Sequence, residues 1–207
     1  MSEWNAIIDK NNRIKFRDFV HFIDTQPTSD FFLRSRHPLL VGKELYEGQM
    51  NLPEGMSNTT TMQFKAADIR AVLDEPFPAN KTIHHNIHDL KLESGITQSI
   101  YVLVKNAGDL SEDGGDTVTV GRAASNNIRI ADYVVSKHHA ELTYAYGKYY
   151  IRDLGSTNGT FINGARITSG AAVELQMNSE VAFGRYSFIF ANPMELYQLI
   201  KKNVLGR

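Results

Sequence analysis

Polar side chains of the kinds that bind phosphate follow one another in the second half of the chain, between short apolar runs. Arg122 offers a fork of donors, Lys137 a point charge, and Ser136 and Thr157 offer hydroxyl groups. A phosphate dianion needs several donors at fixed positions, and each charge-assisted hydrogen bond contributes about 1.5–3 kcal/mol. These residue types favour two interpretations equally, an anion site or the ordinary polar surface of a soluble β-protein.

The charge around these residues is positive, although the chain as a whole is nearly neutral. Residues 117–170 contain six lysine or arginine and three aspartate or glutamate side chains, whereas the 207 residues have a formal net charge of −1. A local positive excess attracts an anionic ligand. The near-neutral total argues against a protein that mainly coats nucleic acid or an anionic membrane. We therefore expect neither nucleic acid nor membrane as a partner.

The chain contains no cysteine, which excludes disulfides, thiolate metal sites and cysteine nucleophiles. Its first residues lack the apolar segment of a signal peptide, and no apolar run approaches the length of a membrane span. From these features we expect a cytoplasmic protein.

Two groups of side chains raise the question of a metal site or of catalysis. His84, His85 and His88 are clustered, but zinc sites need further ligands held by rigid elements, so a solvated connector is favoured. Ser136 and His139 lack a third group that would orient the histidine as a base. The short motifs of hydrolases, NTPases, zinc proteases and dinucleotide enzymes are also missing. We expect no enzymatic activity, no metal and no cofactor.

The elements that would position the phosphate-binding side chains are short strands. Nine β-type runs lie between Ile100 and Ala191, separated by turn signals such as Asn158-Gly159. This spacing predicts a mostly β protein with an antiparallel β-sandwich. After it, Asn192, Pro193 and Glu195 have the pattern of a helix start, and the apolar stripe that follows is predicted to pack on the sandwich.

The N-terminal part of the chain has a different character. Apolar residues at helical spacing predict an amphipathic helix there: Phe16, Phe19, Val20 and Ile23. We expect a small α+β module or extension over residues 1–95, in which residues 77–95 are a linker. Residues 96–207 would then form the sandwich and the C-terminal helix.

Three blocks of the sequence resemble the signature of forkhead-associated (FHA) domains. They are Gly121-Arg122, Ser136-Lys137-His138-His139-Ala140 and Asp153-Leu154-Gly155-Ser156-Thr157-Asn158-Gly159-Thr160. The resemblance covers about residues 98–191, and three blocks in the same order and spacing make it specific. It implies an FHA-type antiparallel β-sandwich whose loops at one end bind phosphothreonine peptides.

The resemblance also implies roles for individual residues. Arg122 and Ser136 would bind the phosphate directly, and Lys137 and Thr157 would assist them. Asn158 would hydrogen-bond the backbone of the peptide. Structural support of the site would come from Gly121, His139 and Gly159.

By this resemblance we expect a phosphothreonine-peptide-binding signalling adaptor that acts downstream of a Ser/Thr protein kinase. Its partner would be a threonine-phosphorylated protein or peptide. Two other interpretations remain open. One is a scaffold that binds proteins without phosphate. The other is autoinhibition or self-association through a phosphorylated N-terminal threonine, with Thr25, Thr28 and residues 59–61 as candidates.

Overall fold

The computed structural model describes residues 3–26, 31, 37–43, 98–105 and 117–206, and twelve strands and three helices have defined bounds within these ranges. The helices are α1 (Glu3–Ala6), α2 (Phe16–Thr25) and α3 (Pro193–Asn203). The first six strands are β1 (Arg13–Lys15), β2 (Leu39–Lys43), β3 (Gln98–Val102), β4 (Thr117–Gly121), β5 (Ile128–Arg129) and β6 (Ala140–Ala145). The other six are β7 (Lys148–Asp153), β8 (Thr160–Ile162), β9 (Ala165–Arg166), β10 (Ala172–Leu175), β11 (Glu180–Phe183) and β12 (Tyr186–Ala191).

The strands form two sheets, as the sequence predicts for a sandwich. One sheet has seven strands in the order β1-β3-β2-β12-β11-β8-β9, and the other has five in the order β10-β7-β6-β4-β5. The pairings are antiparallel except that of β4 with β5, which is parallel. This exception arises because the chain turns back beside β4 before β5 begins. Asn127 Oδ1 accepts hydrogen bonds from both the backbone N–H and the hydroxyl of Thr119, which holds the returning chain in place.

The core of the sandwich lies between the two sheets. Alternate residues of each strand point inward, as period-two patterning requires. Buried residues of the five-stranded sheet meet buried residues of the seven-stranded sheet there, among them Val118, Val120, Leu142, Ile151, Leu40, Phe183, Phe188 and Phe190. We refer to this cluster as the sandwich core.

A second apolar cluster covers the outer face of the seven-stranded sheet. Helices α2 and α3 and the N-terminal residues pack on this face, and their buried side chains include Trp4, Phe19, Ile23, Leu196 and Ile200. We refer to this cluster as the helix-side core. The predicted packing of the C-terminal helix on the sandwich is therefore confirmed, as is the predicted amphipathic helix near the N-terminus.

Helix α3 begins as the sequence predicts, with one difference. Asn192 is the N-cap, and its side-chain oxygen accepts a hydrogen bond from Met194 N at 2.8 Å. Glu195 accepts a hydrogen bond from the side chain of Asn178 at 3.0 Å. Glu195, which belongs to the predicted helix start, therefore ties the helix to the turn before β11.

Strand β2 belongs to the seven-stranded sheet, where it pairs with β3 on one side and β12 on the other. Part of the region expected to form an N-terminal module thus contributes a strand to the sheet of the sandwich. The division into residues 1–95 and 96–207 stays a prediction. The expected linker at 77–95, with its three histidines, and the threonines at 28 and 59–61 lie outside the described residues.

Among the described helices, none has both the length and the apolar character needed to cross a membrane. The described residues also contain no group of three or more histidine or acidic side chains arranged to hold a metal ion.

Candidate functional site

Three loops meet at one end of the sandwich, and together they carry all five residues of the predicted binding set. The β4–β5 loop (122–127) carries Arg122, and the β5–β6 loop (130–139) carries Ser136 and Lys137. The β7–β8 loop (154–159) carries Thr157 and Asn158.

Ser136 joins two of these loops. Its hydroxyl oxygen accepts a hydrogen bond from the backbone N–H of Thr157 at 3.1 Å, and the two hydroxyl oxygens are 3.5 Å apart. Ser136 is buried, whereas Thr157 is exposed. The two hydroxyl groups are therefore neighbours at the edge of solvent, on loops that are tied directly to each other.

Arg122 runs along the β5–β6 loop. Its backbone N–H donates to Ser136 O at 2.9 Å, and its Nε donates to Val135 O at 3.2 Å. The guanidinium carbon lies 5.2 Å from the centroid of the Tyr133 ring, within cation–π range. These contacts orient a half-buried guanidinium toward the segment that carries Ser136.

Lys137 has an exposed side chain on a fixed backbone. Its carbonyl oxygen accepts hydrogen bonds from Ala123 N at 3.1 Å and from Asn126 Nδ2 at 2.7 Å. Asn126 is buried and also donates to Ala123 O, so one amide group ties the β4–β5 loop to the β5–β6 loop.

Asn158 is buried between two loops. Its Nδ2 donates to the carbonyl oxygen of Val134 at 2.8 Å. The side chain therefore also holds the β7–β8 loop against the β5–β6 loop, a contact that the sequence did not indicate because it joins residues far apart in the chain.

His139 is fully buried behind the loops, and both of its ring nitrogens are in hydrogen bonds. Nδ1 accepts from the backbone N–H of Ser136 at 3.1 Å, so Nε2 carries the proton and donates to Gly159 O at 3.1 Å. The ring also packs edge-on against Phe183. Burial lowers the pKa of His139, while the bond to Gly159 and the charge of Asp153 partly oppose this effect. The imidazole is therefore neutral and joins Ser136 to the β7–β8 loop.

Two glycines allow close approaches between the loops. A Cβ atom on Gly121 would lie 2.4 Å from Lys137 O, so a side chain there would push the β5–β6 loop away. Gly159 has φ +87°, a backbone conformation that favours glycine. A Cβ atom there would lie 2.5 Å from Arg166 Nε.

Asp153 organises the β7–β8 loop, although sequence analysis did not assign it a role. Its carboxylate accepts hydrogen bonds from Gly155 N at 2.9 Å, from Ser156 N at 3.0 Å, and from the hydroxyl groups of Ser156 and Thr160. Burial would raise the pKa of this carboxyl, but the hydrogen bonds from Ser156 and Thr160 outweigh burial and lower the pKa. An aspartate followed by serine three residues later is a recognisable turn signal that could have identified this role.

Asp132 ties the β5–β6 loop to the turn before β12. Its carboxylate accepts a hydrogen bond from Val134 N at 2.9 Å, pairs with Arg185 at 2.6 Å and accepts from the hydroxyl of Tyr186. Burial, together with the bond to Asp132, raises the pKa of Tyr186 to about 12. No local signal in the sequence indicates this network, because its members come from remote segments.

A family model for the FHA domain matches residues 118–184, which include all three loops. Residues 118–184 of this chain are an FHA domain.

The FHA domain accounts for the similarity to known proteins. The ABC transporter ATP-binding/permease protein Rv1747 of Mycobacterium tuberculosis is 41% identical over 75 residues, which are 36% of this chain and 8% of the transporter. The FHA domain-containing protein FhaB of Mycolicibacterium smegmatis is 35% identical over 72 residues, 35% of this chain and 45% of FhaB. This chain thus spans less than half the length of both curated relatives.

A similar solved structure is that of Mycobacterium tuberculosis EmbR in complex with a low-affinity phosphopeptide. Its sequence is 32% identical, the likeness covers 36% of this chain and 19% of that chain, and the TM-score is 0.35.

The strands of this chain extend the FHA domain beyond the matched residues. Strands β2, β3 and β12 lie wholly outside residues 118–184 and continue the seven-stranded sheet to which β8 and β11 belong. The three loops are therefore supported by a sheet larger than the matched segment.

Proposed function

We propose that this protein is a phosphothreonine-peptide-binding signalling adaptor that acts downstream of a Ser/Thr protein kinase. The observation that carries the proposal is the link between Arg122, Ser136 and Thr157 at the loop end of the FHA domain. A guanidinium directed along the β5–β6 loop and two adjacent hydroxyl groups offer donors from three loops to one anion.

Each residue of the set has a role in the proposal. Arg122 and Ser136 bind the phosphate group, and Lys137 and Thr157 add a charge and a hydroxyl at its edge. Asn158, whose side chain donates to Val134 O, hydrogen-bonds the peptide backbone in this proposal. Gly121, His139 and Gly159 support the site by allowing or fixing the contacts between its loops.

The electrostatics of the loop end support an anionic ligand. The carboxylate of Asp132 is paired with Arg185, and that of Asp153 accepts hydrogen bonds from its own loop and from Thr160 in β8. Both carboxylates therefore already have partners in the absence of a ligand. An anion at the loop end would meet the positive side chains of Arg122 and Lys137 on loops whose two buried carboxylates are stabilised by these partners.

The geometry of Ser136 and His139 argues against their acting as a nucleophile and a general base. The acceptor nitrogen Nδ1 of His139 receives the backbone N–H of Ser136, and Nε2 donates to Gly159 O. No lone pair of the ring is left to take the hydroxyl proton of Ser136. The role proposed for this pair is therefore ligand binding and support, and the protein is proposed to be an adaptor without catalytic activity.

The proposal is tested by fluorescence polarisation with one peptide sequence in three forms, carrying threonine, phosphothreonine or phosphoserine. We expect binding of the phosphothreonine form only, or most strongly. The variant R122A should lose about tenfold to a hundredfold in affinity, because a charge-assisted hydrogen bond contributes about 1.5–3 kcal/mol.

The matched control is K148A. Lys148 is exposed, forms an ion pair with Glu174, and lies at the start of β7, at the far end of that strand from the β7–β8 loop. The variant K148A removes one positive charge at a distance from the site. Its affinity for the phosphothreonine peptide should therefore equal that of the wild type. Equal binding of threonine and phosphothreonine peptides would contradict the proposal and favour the phosphate-independent scaffold.

The kinase link needs a test of its own. Pull-downs from cells with and without phosphatase treatment, followed by mass spectrometry, should yield partners that are lost after dephosphorylation and with R122A. If the same partners were recovered with and without phosphatase treatment, a kinase-dependent adaptor would be contradicted. If phosphorylation of the protein itself produced dimers that R122A abolished, self-association through an N-terminal threonine would be supported instead.

A further inference from the structure

Arg166 has an exposed side chain that lies against the backbone of the β7–β8 loop. It belongs to the two-residue strand β9, and its guanidinium group is next to Gly159. A Cβ atom on Gly159 would be 2.5 Å from Nε, 3.0 Å from Cζ and 3.2 Å from Nη2 of this arginine. The guanidinium thus occupies the space that a side chain at position 159 would need, directly after Asn158.

Arg166 differs from three other basic residues of the sandwich, which have acidic partners. Arg152 pairs with Glu141, Lys148 pairs with Glu174, and Arg185 pairs with Asp132. Within the described part of the chain, Arg166 has neither an ion pair nor a hydrogen bond to a carboxylate. Its charge is held beside the proposed site and is not neutralised by a described acidic neighbour.

We infer that Arg166 is a further peptide-binding residue, which selects phosphopeptides with an acidic side chain close to the phosphothreonine. The inference rests on the proposed function, because it needs a peptide at the loop end. In that proposal Asn158 lies beside the peptide backbone, and Gly159 with Arg166 comes next to it. An extended peptide advances about 3.3 Å per residue, so an acidic side chain one or a few positions from the phosphothreonine comes within reach of the guanidinium.

The position of the guanidinium makes this contact selective. A side chain already resting against a glycine backbone has less conformational freedom to lose on binding than a fully solvated arginine. A planar guanidinium also matches the two oxygens of a carboxylate better than an ammonium group does. A peptide glutamate at the right position should therefore be preferred over glutamine.

The test uses phosphothreonine peptides in which a single glutamate or glutamine is moved through the positions on both sides of the phosphothreonine. Affinities are measured for the wild type, R166Q, R166K and the charge-matched control K148Q. For the wild type we expect one position at which glutamate binds about two- to fivefold more tightly than glutamine, the range typical of exposed ion pairs.

The variants separate a direct contact from a general charge effect. R166Q should abolish the preference at that position and leave binding of the glutamine peptides nearly unchanged. R166K should retain part of the preference for glutamate at that position, and K148Q should retain all of it. High salt should weaken the preference as well.

The outcomes also separate this inference from the proposed function. Phosphate-dependent binding with the same glutamate preference in R166Q and in the wild type would overturn the role of Arg166 and leave the proposed function intact. Failure of the wild type to distinguish phosphorylated from unphosphorylated peptides would overturn both.

Discussion

The hydroxyl of Ser136 and the imidazole of His139 show how single side chains can serve both structure and binding. The backbone N–H of Ser136 is held by the histidine, and its hydroxyl holds the backbone of Thr157. The residue that we propose as a phosphate ligand is therefore fixed from two sides before any ligand arrives. Such pre-organisation reduces the entropy that binding must overcome.

The buried His139 should make folding stability depend on pH. Because burial lowers its pKa in the folded protein below the ordinary value of 6.5, the unfolded chain takes up the proton first as the pH falls. The free energy of unfolding should therefore decrease as the pH falls below about 6.5, until the folded-state pKa is reached. Urea unfolding between about pH 8 and about pH 5 measures this.

The variant H139Q should be less stable than the wild type at neutral pH and should lack this part of the pH dependence. H138Q removes the exposed neighbouring histidine and should keep it. If H139Q showed the same pH dependence of the free energy of unfolding as the wild type, the attribution of this dependence to His139 would be contradicted. Asp153 also stabilises the folded protein in its ionised form. Because the pKa of its carboxyl is lowered on folding, this stabilisation is lost only at a more acidic pH than that of His139.

At the scale of elements, the β7–β8 loop is shaped from inside by one carboxylate. Asp153 closes the loop by receiving donors from its own turn and from Thr160 at the start of β8. Thr157 and Asn158, which we propose to face the peptide, lie between these fixed points. The conformation of the loop is thus set by a residue that does not face the ligand.

The variant D153N should destabilise the protein, because the amide replaces one acceptor oxygen with a donor that faces other donors. Leaving buried donors unsatisfied costs about 1–3 kcal/mol, and urea unfolding should show a loss of this size. Affinity for a phosphothreonine peptide should fall as well, since the loop loses its closure.

The control for this substitution is D18N, on the exposed surface of α2. It should cost less than about 1 kcal/mol, which is the contribution of an acidic residue in the first turn of a helix. A D153N protein with wild-type stability and wild-type affinity would contradict the organising role of Asp153.

Sequence reasoning identified the elements better than their connections. Strands β6 and β11 were recognisable because apolar and polar residues alternate in them. Strands β7, β8 and β12 were recognisable as short runs of β-forming residues between turn residues. Strand β9, with two exposed residues, and β1, with three residues, are too short to show such a pattern. The parallel pairing of β4 with β5 was not predictable because β5 has only two residues, and the contact of Asn127 with Thr119 beside it is tertiary.

The same distinction applies to the candidate site. The residue types and their order predicted which side chains meet at the loop end, because the motifs are local in sequence. The contacts of Asn158 with Val134 and of Asp132 with Arg185 were not predictable, since they join separate loops. Sequence patterns therefore indicated which residues form the candidate site, and the tertiary structure was needed to show how they are held.

At the scale of the whole molecule, strand β2 connects the two apolar cores. Leu40 lies in the sandwich core, whereas Leu39 and Val41 lie in the helix-side core, and all three are fully buried. The strand is hydrogen-bonded on both edges and covered on both faces. Loss of order in one core should therefore disrupt the other.

This arrangement predicts that the described part of the protein unfolds in one cooperative transition. Trp4, the single tryptophan, is buried in the helix-side core, so its fluorescence reports on that cluster. Far-UV circular dichroism reports on the helices and strands together, including the strands that enclose the sandwich core. The two signals should give the same denaturant midpoint, since two-state unfolding makes different probes coincide.

The variant L40A tests the connection directly. It removes a side chain from the sandwich core and should cost about 2–5 kcal/mol, with the fluorescence and circular dichroism midpoints moving together. L205A, at a half-buried position after α3, is the milder comparison and should shift both midpoints less. Different denaturant midpoints for the two signals would contradict cooperative unfolding of the two cores through β2. They would favour N-terminal and FHA modules that unfold independently.

The pairing of β2 with β12 also has a consequence for the order of events during synthesis. Leu39 pairs with Ala191, so β2 leaves the ribosome long before its partner strand exists. Strands β6 and β7, by contrast, are neighbours in the sequence and can pair as soon as both are made. Pairings between distant residues form slowly, because loop closure costs entropy before the contacts are gained. We therefore expect the five-stranded sheet to form first on the nascent chain, with the apolar strand β2 awaiting β12 and exposed to chaperones until then.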